Sequence, residues 1–136
     1  MVILNKESMT IVREVDVIPF RNRLREYAMR IGLSVVNQTK IMTAGSELAR
    51  NMLKYAGGGK VDIEVVNRGK ENGLRLIFVD EGPGIDDIKL AMQDGYSTGK
   101  SLGLGLPGTR RLVSEFDIKS EVGKGTKVTV VKWKNG

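Results

Sequence analysis

The sequence predicts an α/β fold in which helices cover one face of a mostly antiparallel sheet. Two stretches of helical periodicity come early, most strand-like segments follow as hairpins, and 136 residues with 40% hydrophobic content suffice for one core. A helix with a single apolar stripe buries that stripe against a sheet. We therefore predict a two-layer α/β sandwich with a mixed, mostly antiparallel sheet, formed by residues 1–136 as one domain.

Two amphipathic helices are predicted in the N-terminal half. Apolar residues recur at helical spacing across residues 17–31, after a short strand at residues 9–12. Ser34 is a favourable N-cap for a second helix, because its hydroxyl can accept from a free backbone N–H of the first turn. The apolar stripe of that helix runs across residues 41–55, and glycines follow Ala56 and end it.

The rest of the chain alternates strand and turn signals. Apolar and charged residues alternate in the strand segments, whereas glycine, serine and threonine dominate one long loop. The predicted elements are a hairpin of residues 61–65 and 74–79, a short helix at about 86–92, a mobile loop at 94–105, a helix opened by Pro107 and continuing through Phe116, and a closing hairpin of 116–122 with 126–133.

Composition excludes several classes of chemistry. The chain has no cysteine and no histidine, which removes disulfides, thiolate nucleophiles, zinc sites with those ligands and imidazole acid–base catalysis. The net charge is +6, but the basic residues are scattered and aromatic residues make up only 5%, so we expect no nucleic-acid partner. No apolar run reaches the roughly 18 residues of a membrane span, so we expect a cytoplasmic protein with no membrane partner.

Glycine-rich residues 95–108 allow three interpretations. Gly103, Gly105 and Gly108 match the dinucleotide-binding pattern G-x-G-x-x-G, but the strand that should precede it is missing. Residues 95–101 end like a phosphate-binding P-loop, but no buried strand feeds them and no helix follows directly. A plain flexible connection would leave the spacing of these glycines unexplained. The remaining interpretation joins the loop to two other sites.

Those two sites lie on a strand end and on a helix. Asp80 opens a D-x-G-x-G turn with Gly82 and Gly84, which lets backbone approach a ligand beside a carboxylate. Glu47 and Asn51 are four residues apart on the second helix, so their side chains lie on one face. Taken alone, each also has an ordinary interpretation: Asp80 as a turn residue, Asn51 as a surface amide, and Glu47 as an ion-pair partner of Arg50.

Together these segments resemble the Bergerat-fold ATPases, the superfamily shared by gyrase, Hsp90, MutL and histidine kinases. Each motif is short, but their joint occurrence in the family's order is specific. They match the family's N, G1, G2 and G3 boxes at residues 47–51, 80–84, 103–108 and 125–126. The chain is still more similar to small bacterial serine/threonine switch kinases of the anti-sigma regulatory factor family, through residues 46–51, 55–57, 80–85, 95–98 and 103–108.

The resemblance implies ATP and Mg²⁺ as cofactors and assigns roles to residues. Asp80 is expected to accept from the amino group of adenine, since guanine carries a carbonyl at that edge. Asn51 is expected to hold magnesium, and Glu47 to act as the catalytic general base. The other expected nucleotide-binding residues are Gly82, Gly84, Ile85, Lys100, Gly103, Leu104, Gly105, Leu106, Gly108 and Thr126. Residues 94–102 are expected to form a lid over the nucleotide.

The resemblance also implies partners. The expected activity is transfer of the γ-phosphoryl of ATP to a serine or threonine of a STAS-domain antagonist protein, in a pathway with stressosome scaffold proteins. The free kinase is expected to activate a PP2C-type phosphatase that controls a stress response. The alternative is an anti-sigma factor kinase that sequesters a sigma factor directly. Because the chain has no histidine, autophosphorylation on that residue is excluded.

Overall fold

The computed structural model describes residues 1–85, 92 and 105–136. In this part of the chain the elements are β1 Val2–Ile11, α1 Val17–Arg30, α2 Val35–Ala56, β2 Gly59–Arg68, β3 Glu71–Asp80, α3 Gly105–Leu112, β4 Glu115–Glu121 and β5 Gly125–Trp133. These five strands form one sheet, in the order β1-β2-β3-β5-β4, and every pairing among them is antiparallel.

The helices cover one face of this sheet, which confirms the predicted two-layer α/β sandwich. Their buried apolar residues and those of alternate strand positions form one core. Phe20 of α1 and Phe78 of β3 meet edge to face, with ring centroids 5.9 Å apart. Gly45 in the middle of α2 allows close packing, because a Cβ there would lie 3.0 Å from Leu24 and 3.3 Å from Leu76. Among the described residues, no helix covers the opposite face of the sheet, which we refer to as the open face.

Both ends of α2 form as the sequence predicts. The Ser34 hydroxyl accepts from the backbone N–H of Asn37 at 3.1 Å, so it caps the first turn. Gly57 adopts φ of +75°, and its N–H donates to the carbonyl of Leu53, which ends the helix. Local sequence thus fixes both ends of α2.

No helix in the described residues is long and apolar enough to span a membrane.

Two predicted boundaries are wrong. β1 begins at Val2 rather than at residue 9, because its first half is an exposed edge without the apolar alternation that marks a half-buried strand. The helix opened by Pro107 ends at Leu112, and Phe116 belongs to β4, where it packs against the core. The helix predicted at 86–92 lies outside the described residues apart from position 92. Residues 94–104 of the predicted loop also lie outside them.

Candidate functional site

Asp80 is the last residue of β3 and lies opposite Thr126 of β5. One oxygen of its carboxylate, Oδ1, accepts from the backbone N–H of Gly82 at 2.9 Å, which fixes the side chain at the start of the turn. The other oxygen has no hydrogen-bond partner within residues 1–85 and 105–136. A half-buried carboxylate held in this way presents one free acceptor to a ligand.

The turn that follows Asp80 is attached to the β4–β5 hairpin. The carbonyl of Pro83 accepts from the N–H of Gly123 at 2.8 Å. The N–H of Ile85 donates to Ser120 Oγ at 2.8 Å, and Oγ of Ser120 lies 2.7 Å from Oγ1 of Thr126. Through these contacts, the two strand ends and the turn form one hydrogen-bonded unit.

Ser120 is the central residue of this unit, and the sequence interpretation missed it. Its hydroxyl also donates to the carbonyl of Gly125 at 3.1 Å. A signal was present, because Ser120 continues the core-facing series of Phe116 and Ile118 as a polar residue. A polar side chain on a core-facing position needs partners, and here those partners are the turn and β5.

The glycines of the turn and of β5 permit backbone contacts that a side chain would block. A Cβ at Gly82 would lie 2.5 Å from the Cβ of Ala56, at the end of α2. A Cβ at Gly125 would clash with the carbonyl oxygen of Asp80, and Gly125 has φ of +103°. Gly84 has φ of +78° and faces the carbonyl of Glu121. These glycines bring the end of α2, the turn and the hairpin together around Asp80.

Glu47 and Asn51 lie one turn apart on α2, and both are half-buried. Neither side chain has a hydrogen bond or ion pair in the part of the chain that the structure describes. The ion pair between Glu47 and Arg50, which is the ordinary interpretation of Glu47, does not form. Arg50 Nε instead lies 3.2 Å from Oε1 of Glu14. A carboxylate and an amide are therefore both left available on the same helix.

α3 contributes a helix N-terminus to this region, because it packs against α2. It begins at Gly105, which has φ of +68°, and Leu106 packs against the core. The first backbone N–H groups of a helix lack partners within the helix and attract anions. Gly108 lies within this first turn, whereas the predicted phosphate-binding residues Lys100, Gly103 and Leu104 lie outside the described residues.

The candidate site offers side-chain oxygen atoms, which are the ligands that magnesium prefers. Among the described residues, no group of three or more acidic side chains could enclose a metal. Magnesium usually retains several waters and takes ligand phosphates, so it needs only one or two protein oxygens. The amide of Asn51, which has no partner in the part of the chain that the structure describes, fits that requirement.

Comparisons with known proteins identify the family of this chain. Residues 36–135 match the family described as histidine kinase-, DNA gyrase B-, and HSP90-like ATPase. The chain is 48% identical to the serine/threonine-protein kinase RsbT of Bacillus subtilis over 90% of this chain and 92% of that protein. It is 27% identical to the anti-sigma F factor of Caldanaerobacter subterraneus over 83% of this chain and 82% of that protein.

A solved structure also shares the fold. The RsbU and RsbW domains of a Mycobacterium tuberculosis protein superpose with a TM-score of 0.65 and 21% identity, over 94% of this chain. The match spans 32% of that longer chain. Together, the family match, the 48% identity and the glycine-lined site show that this chain belongs to the histidine kinase-, DNA gyrase B- and HSP90-like ATPase family and is a homologue of RsbT.

Proposed function

We propose that this chain is a magnesium-dependent serine/threonine protein kinase that phosphorylates a STAS-domain antagonist. The observation that carries the proposal is a carboxylate oxygen of Asp80 that has no partner among the described residues and lies beside glycines that allow close backbone approach. Nearby, α2 offers Glu47 and Asn51, which also lack partners in residues 1–85 and 105–136. The relative named a serine/threonine-protein kinase, at 48% identity, supports this activity over ATP hydrolysis alone.

The residues divide the work between binding and chemistry. The free oxygen of Asp80 accepts from the amino group of adenine, which favours ATP over GTP. The amide of Asn51 holds magnesium, which, when bound, neutralises charge on the phosphates. Glu47 accepts the proton of the attacking serine or threonine hydroxyl. The first N–H groups of α3 orient the phosphates.

Partner switching completes the proposal. A phosphate added to the antagonist places like charge beside the nucleotide site and weakens that complex. The released kinase then activates a PP2C-type phosphatase, and stressosome scaffold proteins hold the antagonist beforehand. The sequence resemblance supports these partners, and a cytoplasmic location is part of the same proposal. The second candidate, an anti-sigma factor kinase, is supported by the similarity to anti-sigma F factors.

Phosphorylation of purified partners tests the proposal. With magnesium and ATP, the protein should phosphorylate a single-domain STAS protein on serine or threonine, and the complex of the two should dissociate on a sizing column. Stable co-elution with a sigma factor, together with no reaction on the STAS protein, would favour the anti-sigma alternative. Calorimetry that finds equal affinity for ATP and GTP would contradict the role of Asp80.

A further inference from the structure

The open face of the sheet carries charged side chains, and most of them pair across neighbouring strands. Arg75 contacts Glu64 with its Nε 2.5 Å from Oε1, and Glu64 is only 2% exposed. Lys6 Nζ lies 3.6 Å from Oδ2 of Asp62. Toward the start of β3, Arg68 lies 4.3 Å from the centre of the Trp133 ring. Over this part of the open face, basic groups have acidic or aromatic partners.

One row near Asp80 differs from this pattern. Lys60 pairs with Val79, Val79 with Lys127, and Lys127 with Lys119, so these residues follow one another across β2, β3, β5 and β4. We refer to Lys60, Lys119 and Lys127 with Val79 as the lysine row. Its lysines are exposed, Val79 is 43% exposed, and in the described residues no acidic group lies within ion-pair distance of these lysines.

This arrangement costs the isolated protein stability. Like charges directly opposite on neighbouring strands repel, and Lys119 faces Lys127 across β4 and β5. An exposed valine between lysines adds apolar surface without a covering group. An anionic partner with an apolar centre would relieve both features at once.

The neighbouring row indicates which kind of partner fits. There, Asp62 pairs with Ile77, and Asp117 pairs with Thr129, so carboxylates flank the lysine row on the side toward the middle of the sheet. An extended polyanion or a flat anionic membrane would meet these carboxylates. A compact acidic patch on a protein would not. We propose that the lysine row docks an acidic face of a partner protein, with carboxylates over the lysines and an apolar side chain on Val79.

Docking here would leave the nucleotide site accessible. Val79 directly precedes Asp80, and Lys127 directly follows Thr126, but alternate strand residues point to opposite faces of the sheet. The partner would therefore lie on the open face of the sheet. The nucleotide would bind on the opposite face, beside the helices, and the partner would not block it. This inference does not depend on the proposed kinase activity.

The test uses the short capped peptide Gly-Glu-Leu-Glu-Gly as probe, because it presents two carboxylates around one apolar side chain, as a compact acidic patch does. Titrated into the ¹⁵N-labelled 136-residue chain, the peptide should shift the amide signals of Val79, Lys119 and Lys127 most strongly. The variant K60Q/K119Q/K127Q should bind about tenfold more weakly, since each exposed ion pair contributes modestly. The variant R21Q/K70Q/K134Q removes the same number of charges from exposed positions elsewhere and should bind like wild type.

Other results would overturn the proposal. They are the absence of saturable binding, shifts centred on the helices, or equal weakening in both variants, which would show an effect of net charge alone. Stronger binding to phosphatidylglycerol vesicles than to the peptide, lost in K60Q/K119Q/K127Q, would assign the row to a membrane instead. Thermal unfolding checks that this variant folds, and relief of the Lys119–Lys127 repulsion should keep its midpoint at or above that of wild type.

Discussion

The two ends of β3 use glycine in opposite ways. At the start, Gly73 lies under the ring of Trp133, where a Cβ would be 2.7 Å from Cε3, and the indole N–H donates to Glu115. At the other end, Gly82 and Gly125 bring backbone segments together around Asp80, and one carboxylate oxygen is left without a partner among the described residues. The first end fills its space with the protein's own side chain. The second end leaves polar groups available to a ligand. We therefore expect the first end of β3 to contribute mainly to stability and the second end mainly to function.

The largest expected effect lies in the site beside the Asp80 end. We expect Glu47→Gln to reduce phosphoryl transfer by about 100-fold to 10,000-fold, because a general base contributes that much to the chemical step. ATP affinity by calorimetry and the free energy of unfolding should change little, since Glu47 has no partner in the described residues to lose. The control is Glu14→Gln, which removes an exposed carboxylate on the Arg50 side. Near wild-type transfer by Glu47→Gln would make Glu47 an ordinary surface residue.

A matched pair of substitutions tests the comparison directly. Gly125→Ala should unfold more easily and bind ATP weakly, because its φ of +103° and the Asp80 carbonyl both oppose a Cβ. Gly73→Ala should lose about 1–3 kcal/mol of unfolding free energy by overpacking against Trp133, and its folded fraction should bind ATP normally. Denaturant unfolding and calorimetry measure the two quantities. Equal loss of ATP affinity in both variants would mean that the two ends are not independent.

Asp80→Asn should separate binding from folding within a single side chain. The amide oxygen of asparagine can still accept from the N–H of Gly82, so the turn and the unfolding free energy should be preserved. The second position becomes a donor and faces the adenine amino group, which should cost about 1–3 kcal/mol of ATP binding. Glu81→Gln, an exposed neighbour, is the control. If Asp80→Asn bound ATP with unchanged affinity, the proposed role of Asp80 in adenine recognition would be wrong.

The smallest effect is expected in β1, away from both ends of β3. Glu7 accepts from Arg23 Nε at 2.7 Å and from the Tyr27 hydroxyl at 2.8 Å. The Arg23 hydrogen bond is the main cause that lowers the pKa of Glu7 below 4.5, so the folded state favours the charged form. The stability that charged Glu7 contributes is fully present above the pKa of Glu7 in the unfolded chain. This contribution declines as the pH falls through the lower pKa of Glu7 in the folded state.

Thermal unfolding in acid measures this contribution. Below about pH 5, the midpoint of wild type should fall more steeply with pH than that of Glu7→Gln, which has no carboxyl group to titrate there. Glu26→Gln, which removes the more exposed carboxylate on the same Arg23, should keep the wild-type slope. Parallel slopes for wild type and Glu7→Gln would assign the acid sensitivity to other carboxylates.

Much of the fold was predictable because its signals are local. The Ser34 cap and the glycines after Ala56 fix the ends of α2 from within a few residues. Apolar alternation identifies β2, β3 and β5, because each has one face in the core. The same reasoning fails for the first half of β1, whose exposed residues are held in the sheet by pairing with β2 and carry no pattern of their own.

Sequence patterns alone were enough to name the residue types of the candidate site: a carboxylate at a strand end, glycines beside it, and Glu47 and Asn51 on one helix face. The contacts that these groups make or leave open depend on the tertiary structure. Ser120 ties the turn to β5, Arg50 pairs with Glu14 rather than Glu47, and the lysines of three strands fall into one row. Such contacts join residues far apart in the chain, and their formation depends on strand register and helix packing, which local spacing does not encode.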